Sequence, residues 1–205
     1  HLPVEDLVVR AARLLQAATG CTMGAHIGLE KHLPAEAGMG GGSSDAATCL
    51  LALNRLWGLG LSRGQLAKLG LQLGADVPFF VGGRNAWVEG IGEQLTPLSL
   101  EAARFVVVKP PGGASTQSIF SAPHLKRDTK PAIIQGFAAY DTRKPLTHSI
   151  QSILEIGRND LQPVAQALCP DVERCINWLQ SHGLQGRMTG SGTAVFAKMQ
   201  LSCDL

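Results

Sequence analysis

A glycine-rich run at residues 34–47 constrains this chain more than any other part of its sequence. It reads Pro-Ala-Glu-Ala-Gly-Met-Gly-Gly-Gly-Ser-Ser-Asp-Ala-Ala. Glycine accepts positive φ and lets the backbone approach another group closely. The Ser-Ser-Asp that follows, Ser43 to Asp45, can cap a helix whose free N–H groups favour an anion. The run therefore predicts a phosphate-binding loop at a helix start, and a nucleotide is the first ligand to consider.

Two common phosphate-binding motifs do not fit this run. A P-loop needs a lysine and a hydroxyl residue directly after its last glycine, but Ser43 and Ser44 follow Gly42 here. No window reads Gly-x-Gly-x-x-Gly, so the dinucleotide fingerprint is absent too. A flexible linker or simple turn remains an alternative. The sequence on either side argues against a linker, because residues 25–31 alternate as in a strand and residues 44–57 have helical periodicity.

The rest of the chain predicts a mixture of helices and strands. Helices are expected over 3–19, 62–74, from 115 or 116 onward, and over 148–156, 160–168 and 171–182; strands are expected over 86–89, 104–108 and 193–198. Pro78 is expected to hold Val77 extended and so to prevent a helix there. Residues 126–144 predict a surface loop. A linker around Pro97 predicts two domains, 1–98 and 99–205.

Composition excludes several classes of protein. The chain has 205 residues, of which 45% are hydrophobic and 17% charged, so it can bury a full core. No window approaches 18 consecutive apolar residues, so no membrane partner is expected. A formal charge of +2 is too small to predict a nucleic-acid partner. The five cysteines lack zinc-site spacing and predict reduced thiols in a cytoplasmic protein.

Several motifs together resemble one enzyme superfamily. The run at 34–47 is similar to the second motif of the GHMP kinases, and Met-Thr-Gly-Ser-Gly-Thr-Ala-Val-Phe at 188–196 is similar to their third. Leu-Gly-Ala-Asp-Val-Pro-Phe-Phe at 73–80, Gly-Ile-Gly-Glu at 90–93 and Asn159-Asp160 resemble the 4-diphosphocytidyl-2-C-methyl-D-erythritol kinases. The resemblance extends from about residue 1 to residue 198.

The resemblance implies an α+β protein with the two-domain GHMP kinase fold. Its N-terminal ATP-binding domain would contain a left-handed βαβ unit, and its C-terminal domain would be a ferredoxin-like α/β sandwich. The family opens with a Lys-x-Asn-Leu strand and a later Tyr-His pair, and this sequence contains neither. We therefore expect the chain to lack the N-terminal strands, with their catalytic lysine and cytosine-stacking ring, and the family's C-terminal end.

The resemblance also implies an activity. It predicts phosphorylation of the 2-hydroxyl of 4-diphosphocytidyl-2-C-methyl-D-erythritol, with ATP and Mg²⁺, by a cytoplasmic monomer or homodimer of the non-mevalonate isoprenoid pathway. Another small-molecule GHMP kinase, acting on homoserine or in the mevalonate pathway, is an alternative. A nucleotide-binding fragment with impaired catalysis is another, because the N-terminal lysine and aromatic residue are missing.

Candidate site residues follow from the matched motifs. Asp76 is the expected catalytic residue and a substrate contact, and Thr116 and Phe120 are the other expected substrate contacts. The expected ATP-binding residues are Lys31, Pro34, Ala35, Glu36, Ala37, Gly38, Met39, Gly40, Gly41, Gly42, Ser43 and Ser44. The expected active-site glycine loop is Gly190, Ser191 and Gly192.

Each candidate also has a purely structural interpretation. Asp76 would be a turn residue, Lys31 a solvated lysine, Phe120 a core residue and the 190–192 loop a tight turn between strands. The histidines have no metal-ligand spacing, so no metal site built from protein side chains is expected.

Overall fold

The computed structural model describes residues 5–129 and 147–199 of the chain. These residues divide into two compact units. The first lies within His1–Glu30 and Gly40–Leu98, and the second within Lys31–Met39 and Ser99–Leu205. Residues 31–39 therefore pack with the C-terminal half of the chain. The domain limits 1–98 and 99–205 remain a prediction, and most of the loop predicted at 126–144 lies outside the described residues.

The first unit contains four helices and a β-hairpin. They are α1 (Leu7–Thr19), α2 (Gly41–Leu56), α3 (Arg63–Leu71), α4 (Val77–Gly82), β1 (Ala86–Glu89) and β2 (Gln94–Pro97). The Asp6 side chain caps α1 by accepting from Val8 N, and Gly20 ends it in the left-handed conformation, at φ 68°. A reciprocal capping box between Ser62 and Gln65 begins α3, which lies within the helix expected over 62–74.

Helix α2 lies at the centre of this unit. It packs against α1, α3 and α4. Their shared core buries Leu15 of α1, Leu50 of α2, Leu66 of α3 and Val77 of α4. Burial of these apolar side chains is the main contribution that holds the helices together. No helix among the described residues combines the length and the apolar character that crossing a bilayer requires.

Three local predictions for this unit are wrong. Residues 25–31 form no strand, although Ile27 and Leu29 alternate with exposed neighbours and pack against the core. The alternation predicted burial correctly, but no described strand hydrogen-bonds to this segment. Val77 is helical, because Pro78 stands in the first turn of α4, where a missing N–H leaves no bond unmade. The linker expected around Pro97 is wrong at that residue, because Pro97 is the last residue of strand β2, which pairs antiparallel with β1.

The second unit is built around a three-stranded antiparallel sheet. Its elements are β3 (Ser99–Leu100), β4 (Phe105–Val108), α5 (Thr116–Phe120), β5 (Thr147–His148), α6 (Ile150–Ile156), α7 (Gln162–Leu168), α8 (Asp171–Ser181), β6 (Arg187–Met188) and β7 (Val195–Lys198). The sheet has the order β4-β7-β6, with Val195 of β7 opposite Val108 on one side and Met188 on the other. Strands β3 and β5 form a separate parallel pair. A core that includes Ile119 and Leu179 packs with this sheet.

Close packing between α3 and α4 leads to a first prediction. A Cβ on Gly70 of α3 would lie 2.7 Å from Cγ1 and 3.4 Å from Cβ of Val77. Because a buried valine has few ways to move aside, Gly70→Ala should lower the free energy of unfolding by about 1–3 kcal/mol. Chemical denaturation of both forms measures this difference.

Gly64→Ala is the matched control, because Gly64 lies on the same helix. The nearest atom to its added Cβ is Ser62 Oγ at 4.0 Å. Alanine has the higher helix propensity, so this variant should be neutral or more stable, by up to about 1 kcal/mol. Equal effects of the two substitutions would contradict the packing described for α3 and α4.

Candidate functional site

The start of helix α2 has the features of an anion-binding site. Gly40 is its N-cap, at φ 69°, and no side chain caps the helix there. The first bond of the helix runs from Ser44 N to Gly40 O, at 2.9 Å. The preceding N–H groups of the helix start have no acceptor within the helix. With the positive end of the helix dipole, they can bind a negatively charged group.

Glycine rather than Ser-Ser-Asp caps this helix, which corrects the sequence-based expectation. α2 begins at Gly41, so Ser43 and Ser44 lie within its first turns and are half-buried. A Cβ on Gly40 would stand 2.7 Å from the ring of Phe80, in addition to the strain of a positive φ. The run of glycines therefore allows the chain to turn tightly beside α4 immediately before the helix.

Asp76 lies at the start of α4 in the same unit. It is the N-cap residue, yet its side chain makes no capping hydrogen bond and is exposed. Phe80, whose ring lies against Gly40, follows it by one helical turn. The carboxylate is thus available for chemistry on a helix that packs against the glycine-capped start of α2.

In the second unit, residues 36–38 are held against the loop that joins β6 to β7. Three hydrogen bonds join the two segments: Thr193 N donates to Glu36 O at 3.1 Å, Ala194 N donates to Ala37 O at 3.3 Å, and Thr189 Oγ1 donates to Gly38 O at 3.0 Å. Residues on both sides of the 190–192 loop therefore hold the segment that leads into the glycine run.

Glycines permit this contact between two backbones. A Cβ on Gly38 would lie 2.0 Å from Thr189 O, and a Cβ on Gly192 would lie 2.0 Å from Gly38 N. Neither distance is possible for a side chain, so both positions require glycine at this separation. Glu36 is also unusual, since it is a non-glycine residue at φ 54°. Strained residues of this kind are concentrated at functional sites.

The other two expected substrate contacts, Thr116 and Phe120, lie in this second unit. Thr116 begins the short helix α5, and its Oγ1 lies 2.8 Å from Ser191 Oγ of the glycine loop. The Phe120 side chain at the end of α5 is 51% exposed, so this ring is not a core residue. An exposed aromatic face of this kind can stack on a base.

The expected ATP-binding residues are divided between the two units. Lys31 and residues 32–36 are exposed in the second unit, while residues 40–44 belong to the first. Sequence reasoning assigned no role to Asn159, whose side chain donates to Met188 O and Gly190 O. Its place three residues before the start of α7 and its match to the resembled family were the only signals in the sequence.

The described ranges also show how the metal-ligating side chains and the cysteine thiols are placed. No group of three or more histidine, cysteine or acidic side chains in residues 5–129 and 147–199 is placed to hold a metal ion. Cys21, Cys49, Cys169 and Cys175 are free thiols. Burial raises the pKa of the Cys49 thiol to about 11, and burial is also the largest cause of the raised pKa of Cys175. Neither thiol is suited to act as a nucleophile near neutral pH.

Family models match both parts of the chain. Residues 6–84 match the N-terminal domain of the GHMP kinases, and residues 143–198 match their C-terminal domain. The fold is therefore the α+β fold of this superfamily. A crystal structure of a 4-(cytidine 5'-diphospho)-2C-methyl-D-erythritol kinase is also similar, with 36% identity and a TM-score of 0.73. That match covers 96% of this chain and 70% of the other.

Curated relatives have higher identity. A protein of Polaromonas sp. (strain JS666) named 4-diphosphocytidyl-2-C-methyl-D-erythritol kinase is 62% identical over 204 residues, which cover 100% of this chain and 63% of the relative. A protein of the same name from Variovorax paradoxus (strain S110) is 62% identical over 97% of this chain and 68% of its own length. The chain thus spans slightly less than two thirds of the length of the Polaromonas relative.

The backbone contact in the second unit generates a testable prediction. Gly192→Ala should separate the loop from residues 36–38, because the added Cβ meets backbone atoms that no rotamer change can move. We expect the Thr193 and Ala194 amides to exchange hydrogen about tenfold faster or more, equivalent to a local loss of about 1.4 kcal/mol or more. Hydrogen exchange measured by NMR or mass spectrometry would show this change.

Gly28→Ala is the control for this experiment, since a Cβ there meets no atom within 4 Å. It should leave the same amides protected. Unchanged exchange in Gly192→Ala would show that the two segments are not held together as described.

Proposed function

This chain belongs to the 4-diphosphocytidyl-2-C-methyl-D-erythritol kinase family of the GHMP kinases, and on that premise we propose a specific phosphoryl transfer. The complete protein moves the γ-phosphoryl group of ATP to the 2-hydroxyl of 4-diphosphocytidyl-2-C-methyl-D-erythritol, a step of the non-mevalonate isoprenoid pathway. The observation that carries this proposal is 62% identity over all of this chain with a relative of that name.

ATP binding is assigned to the glycine-rich run and Lys31. The N–H groups of Gly41, Gly42 and Ser43 would bind phosphate oxygens at the positive end of the α2 dipole. No acidic side chain stands in the first turn of α2 to oppose an anion. Residues 34–40 would complete this loop, with the glycines keeping side chains away from the phosphates.

Asp76 is assigned the catalytic role. The substrate hydroxyl oxygen attacks the γ-phosphorus, the bond to the β–γ bridging oxygen breaks, and ADP leaves with that electron pair. The proton of the hydroxyl passes to a base, and the exposed Asp76 carboxylate is suited to orient the hydroxyl and accept it. Phosphoryl transfer otherwise depends on positioning and charge neutralisation, so a single carboxylate is an adequate base.

Magnesium fits the oxygen donors at the start of α2. Mg²⁺ in phosphoryl-transfer enzymes is bound through one or two protein ligands, carboxylates or Ser/Thr hydroxyls, and fills its remaining positions with phosphate oxygens and water. The half-buried Ser43 and Ser44 hydroxyls are oxygen donors of this kind. A cage of acidic side chains is not required. The ion would neutralise charge on the transferring phosphoryl group.

The cytidylyl part of the substrate is assigned to α5. Phe120 would stack on the base, and the Thr116 hydroxyl, already within hydrogen-bond distance of Ser191, would contact the nucleoside. The Gly190, Ser191 and Gly192 loop would support both this contact and the segment at 36–38. We also propose that the complete protein works in the cytoplasm as a monomer or homodimer.

Substrate choice can be tested directly with the complete protein that contains this chain. It would be incubated with ATP, Mg²⁺ and, separately, the cytidylyl alcohol, homoserine or mevalonate. Mass spectrometry and ³¹P NMR should find the 2-phosphate of the cytidylyl alcohol and no comparable product from the other alcohols. The proposal would be wrong if the protein phosphorylated homoserine or mevalonate and not the cytidylyl alcohol.

Asp76→Asn should identify the base. The amide keeps the shape of the side chain but accepts a proton poorly, so kcat should fall by about 10²–10⁴-fold. The KM for ATP should change by less than about threefold, because Asp76 is assigned no contact with the nucleotide. Steady-state kinetics measure both constants.

Glu89→Gln is the matched control, because it removes another exposed carboxylate of the same unit. It should retain kcat within about twofold, as expected for a side chain outside the reaction. If Asp76→Asn also retained kcat, the assignment of the base would be wrong.

A further inference from the structure

The Asn159 side chain makes three hydrogen bonds at the edge of the glycine loop. Its Oδ1 accepts from Leu161 N at 3.0 Å, which holds the residue at the turn before α7. Its Nδ2 donates to Met188 O at 3.0 Å and to Gly190 O at 2.8 Å. One side-chain amide therefore joins the glycine loop to the segment before α7 by hydrogen bonds. Both hydrogens of its NH₂ group have an acceptor.

The loop that Asn159 holds makes contacts in two directions. Thr189 Oγ1 donates to Gly38 O, and a Cβ on Gly190 would stand 2.8 Å from that same oxygen. In the other direction, the Ser191 hydroxyl lies 2.8 Å from Thr116 Oγ1. The same few residues thus support the segment assigned to ATP and the residue assigned to the cytidylyl group.

Bonds within the loop are few. Thr189 N donates to Ala194 O at 3.0 Å and Gly192 N donates to Thr189 O at 3.3 Å. Gly190 is in the left-handed region, at φ 53°, and glycine leaves the backbone there with wide conformational freedom. A bond from outside the loop to the Gly190 carbonyl restricts that freedom.

We propose that Asn159 is a positioning residue for the glycine loop. By holding the Met188 and Gly190 carbonyls, it sets the position of Thr189 and Ser191, and through them that of Gly38 and Thr116. This inference rests on the proposed function, because it treats Gly38 and Thr116 as parts of the ATP and cytidylyl sites. It assigns to Asn159 an effect on the affinity for both ligands and no contact with either.

Asn159→Asp tests this role with little change in shape. The carboxylate can still accept from Leu161 N, so the start of α7 is kept. It has no donor for the two carbonyls and places a negative charge against them, which takes a donor from the carbonyl of the buried Met188 and repels the carbonyl of the exposed Gly190. The loop should therefore loosen while the surrounding helices stay folded.

Steady-state kinetics and hydrogen exchange on the complete protein read out this effect. KM for ATP and KM for the cytidylyl alcohol should each rise about tenfold or more, while kcat changes by less than about threefold. Amides of residues 190–194 should exchange faster. Asn177→Asp, the same substitution at an exposed position of α8, should change none of these quantities. Unchanged KM values and unchanged exchange in Asn159→Asp would overturn the proposal.

Gln162→Met separates positioning from general stability. The Gln162 Oε1 accepts from Met188 N at 2.9 Å, so it supports β6 without touching the Gly190 carbonyl. This variant should lower the unfolding temperature and leave both KM values near those of the parent. Equal increases of both KM values in Gln162→Met and Asn159→Asp would overturn the proposal, since any loss of stability would then suffice.

Failure of the proposed function can be distinguished from failure of the role proposed for Asn159. If the parent protein transfers no phosphate to the cytidylyl alcohol, the proposed function fails. Exchange at residues 190–194 and calorimetric titration with ATP then decide the role of Asn159. Faster exchange together with weaker ATP binding in Asn159→Asp supports it, and no difference from the parent overturns it.

Discussion

The close approach of two backbones, at 36–38 and at 189–194, is the contact on which the second unit of this structure depends. Three hydrogen bonds hold it, and Gly38 and Gly192 permit it because any Cβ there would lie 2.0 Å from a backbone atom. The contact joins the end of a sheet hairpin to the segment that leads into the glycine run. The loop that supports it also carries Ser191, which reaches Thr116. Packing therefore requires glycine at both positions.

In the first unit, the corresponding feature is the start of helix α2, which has no side-chain cap. A helix without a side-chain cap leaves N–H groups at its start, and the left-handed Gly40 directs the chain away beside Phe80. An anion completes such a helix start as a capping side chain would. Asp76 is a second example of a missing cap bond, because it occupies the N-cap position of α4 and its carboxylate accepts no hydrogen bond from the helix start. At the starts of both α2 and α4, the side-chain capping hydrogen bond of an ordinary helix start is therefore missing.

Sequence patterns predicted most helices because their signals are local. The Ser62–Gln65 capping box and Ser115 each define a helix start within a few residues. The error at Val77 was local, because a proline also suits the first turn of a helix. The error at 25–31 came from a signal that depends on distant partners. Alternation at 25–31 indicates burial, but a strand also needs a neighbouring strand for its hydrogen bonds. The motifs predicted which residues to examine. They did not predict the bonds of Asn159 or the 2.0 Å approach at Gly38, because both join segments far apart in sequence.

A structure of the complete protein with a non-hydrolysable ATP analogue and the cytidylyl alcohol tests the central claim most directly. That claim is that the uncapped start of α2 binds the phosphates of ATP. Phosphate oxygens should lie about 3 Å from the backbone nitrogens of Gly41, Gly42 and Ser43. Phosphates bound elsewhere, with these nitrogens facing solvent or protein, would contradict the account.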